Sequence, residues 1–363
     1  MTQASAASRL RALARQLRDV AMILAAGFPL LVLIAFAVGL VGALNRAHAS
    51  DAGSCGGISL ATTMAAENPG AYAAAVAEAD AVPNGHGRLW KVEKAGLAPS
   101  WLFGTMHVTD PRVVEMPPAA RSAFDGAGTL VIETTDILDP AKAQAALLTQ
   151  PELTMFTDGT TLESLLKGDD LKLVEDELKR RGIPLALVSR LKPWMVAGLV
   201  ALSDCEMTRR SSGEDFLDKK IADEAAEDGK QLLGLETMGE QLSAMASLPV
   251  EFHVRGLVET IKLADLMPDV SATMTDLYLA GEISLIMPLV RAASPEGDDD
   301  DSAGYAAFEE RIVRVRNHVM AERAAPILDK GSAFIAVGAL HLPGEEGLVS
   351  LLQNAGYQVT RAL

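Results

Sequence analysis

Residues 333–342 read AFIAVGALHL and residues 100–108 read SWLFGTMHV. Each is a short apolar run that ends in Gly-x-x-His, at Gly338 and His341 in one and at Gly104 and His107 in the other. Uncharged runs of this length suit strands buried on both faces, as in a sheet covered by helices. Glycine at the end of such a strand lets the backbone turn sharply or approach another group closely. The histidine then projects from a strand end, where α/β proteins place ligands. A single histidine in that setting is more often a hydrogen-bonded structural residue. Two in matching settings reverse the balance, because imidazole serves both as a metal ligand and as a proton carrier near neutral pH.

A second pair of segments echoes itself in the same way. TLVIET at 129–134 and LLGLET at 232–237 each run apolar into a glutamate, Glu133 and Glu236. A carboxylate there is costly to bury unless it is paired, protonated or bound to a cation. A metal ligand or a general base for water is one reading, and a salt bridge to an arginine is the other. The repetition suggests an internal duplication, with two half-domains that face each other and bring both histidines and both glutamates to one cleft.

Working outward, RLWKVEKAG precedes SWLFGTMHV as a strand partner, with Gly96, Pro99 and Ser100 in the turn between them. The middle third reads as helices: LESLLKGDDLKLVEDELKRRG, then the more apolar LKPWMVAGLVALSDCEM, then the amphipathic GEDFLDKKIADEAAEDGK. More helices run from about 243 to 291, interrupted at Pro249 and Pro268, and a long one follows an EGDDDD tract that reads as a solvated loop. A helix, EEGLVSLLQNAG, and a strand, YQVTRAL, close the chain. Short buried strands alternating with helices predict an α+β (α/β-like) body, a central mixed sheet covered by helices. Within the long helix lies Arg316-Asn317. Arginine can clamp a carboxylate or an oxyanion and asparagine can donate to one, but the flanking charges by themselves read as an exposed helix face.

The amino-terminal fifty residues are different. Residues 21–44 run for 24 positions without a charge, long enough to cross a hydrocarbon core of roughly 30 Å as a helix. Arg9, Arg11, Arg15 and Arg18 precede the run, and only Arg46 follows before the acidic body. The positive-inside rule then keeps residues 1–20 cytoplasmic and puts the body in the periplasm of an inner-membrane, single-pass protein. A cleaved signal peptide, with Ala47-His48-Ala49 as the cleavage site, is the alternative, although the apolar run exceeds a usual signal core. Lipidation of Cys55 fits less well, because residues 45–54 separate it from the apolar run. Residues 45–86, rich in Ala, Gly and Ser, read as a linker or a loosely docked helix, and the folded body starts near Gly87.

Composition excludes several functions. Five Arg against one Asp give the first fifty residues +4, so the rest of a chain of net charge −16 carries −20. Such a surface repels nucleic acid and anionic lipid, and aromatics at 4% leave few faces on which to stack a base or a sugar. The two cysteines, Cys55 and Cys205, form no Cys-x-x-Cys. Export permits a disulfide between them, but the linker position of Cys55 argues against it. No nucleophile elbow, phosphate loop, dinucleotide fingerprint or His-Glu-x-x-His occurs, and Ser189-x-x-Lys192 lacks the companions of a penicillin-binding site. His86, His253 and His318 read as structural or surface residues.

In order along residues 87–363, LWKV, LFGTMHV, LVIE, KPW, FLDKKIADEAAEDGKQLLGLETMGEQL, RNHVM and AFIAVGALHLPGEEGLVSLLQNAGYQV resemble the TraB/GumN family. The resemblance implies a fold of the erythromycin-esterase and ChaN-like group and kinship with the membrane-tethered Tiki metalloproteases. It implies a divalent ion (Mn, Co or Zn) on His107, His341 and Glu133. It also implies catalytic roles for Glu133, Glu236, Arg316 and Asn317, with Gly104, Gly338 and Asp218 shaping the site. The neighbouring Asp215 competes with Asp218 in that alignment. The function it implies is a membrane-tethered hydrolase of peptide or amide bonds. The alternatives are a metal-free hydrolase with a histidine base, and a non-catalytic binder of peptides or envelope glycans. The partners expected are a peptide or envelope-derived substrate and the membrane, with no nucleic acid.

Overall fold

The computed structural model describes residues 55–293 and 306–363. The basic terminus 1–20, the apolar run 21–44 and the EGDDDD tract fall outside them. Among the described residues no helix is long and apolar enough to cross a membrane.

The body is built on one six-stranded mixed sheet. Its strands are β1 (Leu89–Glu93), β2 (Ser100–Thr105), β3 (Thr129–Ile132), β4 (Gln231–Gly234), β5 (Ala333–Gly338) and β6 (Gln358–Arg361), in the order β4-β3-β5-β2-β1-β6. β2 and β5 run parallel with Gly104 opposite Val337, β3 runs parallel to β5, and β3 and β4 run parallel with Ile132 opposite Gly234. β1 is antiparallel to both β2 and β6.

This corrects the expectation of two facing half-domains. The two echoing pairs, β2 with β5 and β3 with β4, are neighbours in a single sheet. Backbone hydrogen bonds between like strands satisfy the same apolar segments without a second sheet. The consequence for the site is the same, since all four parallel strands end on one edge.

Helices cover both faces. On one side α3 (Pro118–Gly126), α5 (Pro193–Ala201) and α7 (Leu217–Glu227) bury Phe124, Trp194 and Ile221 against Phe103, Leu130 and Phe334. On the other, α12 (Val315–Leu328) and α13 (Leu348–Asn354) bury Met320 and Val349 against Leu102, Val131, Ile335 and Val337. Alternate residues of each strand therefore meet alternate apolar layers, which is why these strands carry no polar side.

Elsewhere the chain forms α1 (Leu60–Glu67), α2 (Pro69–Asp80), α4 (Asp169–Arg180), α6 (Asp204–Ser211), α8 (Met238–Ala246), α9 (Val250–Lys262), α10 (Met267–Ala280) and α11 (Ile286–Ala293). Two expected single helices are broken. Gly168, at φ +57°, divides the first from α4. Leu202-Ser203 divides α5 from α6, and the Ser203 hydroxyl caps the new start at Glu206 N–H.

The stretch read as a linker or a loosely docked helix holds two docked helices over 60–80. Met64, Ala75 and Ala79 pack with Val270, Met274 and Leu289 of α10 and α11 in a third apolar cluster, which also receives Met106 and Leu340. Small alanines allow that close approach while giving the sequence no amphipathic stripe to reveal it. The segment is also bonded covalently: Cys55 and Cys205 form a disulfide with Cα atoms 5.4 Å apart, against the expectation drawn from Cys55. The supposed linker is held against α10 by Ile58 N–H to Asp269 and Leu60 N–H to Thr273, which brings Cys55 within reach.

Candidate functional site

The four parallel strands deliver their polar residues to one edge of the sheet. Glu236 follows β4 by two residues, Glu133 follows β3 by one, His341 follows β5 by three and His107 follows β2 by two. In strand order they line up as Glu236, Glu133, His341 and His107. This is the carboxyl edge where parallel sheets bind ligands.

Arg316 lies between the two carboxylates. Its Nη2 donates to Glu133 and Glu236 at 2.7 Å each, and its Nε donates to both oxygens of Glu236 at 3.0 and 3.1 Å. Gln241 adds Nε2–H bonds to Glu133 at 3.1 Å and Glu236 at 3.3 Å, and the Gly338 N–H reaches the other Glu133 oxygen at 2.7 Å. Arg316 and Asn317 are both buried, which corrects the exposed-face reading of that pair. They lie on the buried face of α12 that also carries Met320, Ala324 and Leu328; a π-helical turn, Glu309–Arg314, precedes the helix, and the Ile312 carbonyl accepts from Arg316 Nη1.

Burial opposes the ionisation of Glu133, but Arg316, helped by His341 and His107, outweighs it and holds the carboxyl down at about 2. For Glu236 burial prevails over the same guanidinium, and its carboxyl is lifted above the usual range. Arg316 remains charged: burial opposes this, but the two carboxylates raise it further.

The histidines are held differently, each by Nδ1. Asn317 donates Nδ2–H to the Glu346 carbonyl at 2.8 Å, which turns its Oδ1 towards Nδ1 of His341 at 2.6 Å. An amide oxygen only accepts, so Nδ1 carries the hydrogen and Nε2 the lone pair. That Nε2 lies 3.9 Å from Glu133. Burial and Arg316 push the His341 imidazole down to about 3, so it is neutral. Nδ1 of His107 meets Asp218 at 2.9 Å, and Asp218 also accepts from Thr105 Oγ1 at 2.8 Å. Burial opposes the protonation of His107, but Asp218 overcomes it and raises the pKa. Of the two acidic candidates at this position, Asp218 is the one that reaches His107; Asp215 pairs with Lys219.

Gly338 marks where these groups converge. A Cβ on it would stand 3.2 Å from Glu133 Oε1, 3.6 Å from His341 Cδ2 and 3.7 Å from His107 Nε2. Gly104 is restricted by packing instead, since a Cβ there would come within 2.7 Å of Leu342 and 3.0 Å of the Ala339 Cα.

A model of the TraB/PrgY/gumN family matches residues 88–361. The chain belongs to that family. It is similar to metalloprotease TIKI2 of Danio rerio, 24% identical over 320 residues that cover 75% of this chain and 60% of the relative. The metalloprotease TIKI homolog of Nematostella vectensis is 23% identical over 75% of this chain and 66% of its own. Metalloprotease TIKI1 of Homo sapiens is 25% identical over 76% of this chain and 61% of its own. The chain thus spans about 60% of the length of such relatives. No solved structure gives a significant match.

In this TraB/PrgY/gumN member the residue types at the edge, two imidazoles and a carboxylate, are ones that divalent ions use. Both imidazoles have the Nδ1 hydrogen bond to an oxygen acceptor that metal-binding histidines use, with Glu133 beside them. As folded, no group of three or more His, Cys, Asp or Glu among the described residues is arranged to hold a metal, and Arg316 supplies the positive charge at the carboxylates.

Sequence reasoning missed Gln241, which touches both glutamates. The signal was present in Thr237-x-x-Glu240, a capping box that starts α8 and carries Gln241 inward in its first turn. Asn317, read as an oxyanion donor, places one amide N–H on the Glu346 carbonyl and its Oδ1 on His341.

Proposed function

We propose that the protein is a metal-dependent hydrolase of peptide or amide bonds, tethered by residues 21–44 with its body outside the cytoplasm. The observation that carries the reading is the convergence of His107 Nε2, His341 and Glu133 Oε1 around Gly338, with both tautomers set from outside. The names of the TIKI relatives support the chemistry. The Cys55–Cys205 disulfide supports an oxidising compartment.

His107, His341 and Glu133 would hold the ion (manganese, cobalt or zinc), which would polarise the scissile carbonyl and acidify a bound water. Asp218 fixes the His107 ring, and Asn317 sets the His341 tautomer with its lone pair inward, while burial and Arg316 keep that ring neutral. Arg316 offsets the negative charge of the two carboxylates and keeps Glu133 ionised. Glu236, lifted by burial, is the group to take a proton from the attacking water and return it to the leaving amine. Removing such a group lowers rate by about 10²–10⁴.

The test is metal content by mass spectrometry of the full chain in detergent, alongside His107→Ala and His341→Ala, followed by a peptide-library digest. Near-stoichiometric metal lost from both variants, together with cleavage lost in parallel, is the expected result. Cleavage that persists in excess chelator would instead favour a metal-free hydrolase. The position of Arg316, already standing where a cation would stand between the glutamates, favours this second reading.

A further inference from the structure

The loop that carries His107 is gripped from behind by a second ion pair, separate from the Arg316 cluster. Glu206 and Arg210 lie one turn apart on α6 and meet at 2.7 Å, with side chains only 10% exposed. The carboxylate of Glu206 accepts the Thr109 N–H at 3.1 and 3.2 Å and the Thr109 hydroxyl at 2.8 Å. Arg210 Nη2 donates to the carbonyl of His107 at 2.8 Å. The backbone is therefore held at an acceptor on His107 and at a donor two residues later, by opposite charges that also neutralise each other. A buried pair of this kind adds little net stability compared with well-packed apolar residues. What it adds here is direction: each charge is spent on one specific backbone group.

The ring and the backbone of His107 thus have separate supports. Asp218, with Thr105 behind it, sets the ring, and the α6 pair sets the point from which the ring projects. The base of α6 is covalently fixed, because Cys205, next to Glu206, is the disulfide partner of Cys55.

We propose that Glu206 and Arg210 are positioning residues that set where His107 Nε2 stands relative to Glu133 and His341. This rests on the reading of His107 as a ligand, and support of this kind is typically worth about 10- to 100-fold in metal affinity.

The test uses the double variant Glu206→Leu/Arg210→Met in the full chain in detergent, which removes both charges and leaves neither uncompensated. Two quantities are read: the histidine ring Cε1–Hε1 NMR signals, assigned with His107→Gln and His341→Gln, and zinc affinity by competition with a chromophoric chelator. The expected result is a shifted or broadened His107 signal, an unchanged His341 signal, and zinc bound at least about tenfold more weakly. A cooperatively unfolding double variant with an unchanged His107 signal and unchanged zinc affinity overturns the proposal. If the parent binds no zinc, the metal reading fails, and the His107 signal alone decides the positioning role. If the double variant does not fold, Glu206→Gln, which keeps the shape and removes the charge, is judged by the same signal, and Arg210→Lys should restore part of the parent pattern.

Discussion

The two halves of the site edge handle polar groups in opposite ways. At β3 and β4 the carboxylates of Glu133 and Glu236 are held by donors, from Arg316, Gln241 and the Gly338 N–H. At β2 and β5 the imidazoles are each tied by Nδ1 to Asp218 or Asn317, with Nε2 directed inward. The carboxylate half is built to survive burial, and the histidine half is built to present a donor. Charge balance and reactivity are thus divided between neighbouring strands of one sheet.

The largest effect that can break this comparison is at Arg316. Arg316→Met leaves two buried carboxylates without their cation and should cost about 3–5 kcal/mol by chemical denaturation. Adding Glu133→Gln and Glu236→Gln should recover much of it. A loss under about 1 kcal/mol would mean that the carboxylates do not depend on the arginine.

Acid should separate the halves next. His341 is held at about 3 when folded, so the unfolded chain takes up its proton first, near 6.5, and stability falls as pH drops below that value. Between pH 6.5 and 4.5 the loss is on the order of 2–3 kcal/mol. Glu133, held at about 2, gives stability that is complete above 4.5 and lost as pH falls towards 2, by about 3 kcal/mol. Glu236, raised when folded, works in the opposite sense: its contribution grows as pH falls towards 4.5, so it offsets part of the His341 loss in the upper window. In chelator-treated protein His341→Gln should flatten the upper window and Glu133→Gln the lower one. His253, lowered to about 4 by its own burial, titrates in the upper window too, so the difference from parent is the quantity to read.

The glycines give a finer contrast. Gly104→Ala should cost about 2–3 kcal/mol, because its Cβ meets Leu342 and the Ala339 backbone. Gly338→Ala should cost only about 1 kcal/mol but weaken zinc binding about tenfold, since its Cβ enters the space between Glu133 and the histidines. Equal losses of affinity in both would erase the distinction between a packing glycine and a site glycine. The smallest effect is expected for His318→Ala, within about 0.5 kcal/mol. That side chain is exposed on Glu346, whereas the Glu346 carbonyl is what orients Asn317, so the His341 ring signal should stay in place.

How much of this the sequence displayed depends on range. The Gly-x-x-His and Glu-Thr endings are local signals written into single strands, and all four residues reach one edge. Arg316-Asn317 looked exposed because charged residues flank the pair, although Arg316 falls at four-residue spacing with Ile312, Met320, Ala324 and Leu328, all of them buried. Helices α1 and α2 could be read only as linker or a loosely docked helix, because alanine packs closely without leaving a stripe. The pairing of Cys55 with Cys205, 150 residues apart, is set by tertiary approach alone. The fold was legible in its strands, and the supports behind the site were not.

That disulfide also bears on reach. Residues 45–54 separate the apolar run from Cys55, and ten residues extend at most roughly 35 Å. With residues 21–44 in a bilayer, as proposed, the leash ends at α6, the helix that holds the His107 loop. The site edge would then hang from its own support, within a few nanometres of the bilayer surface.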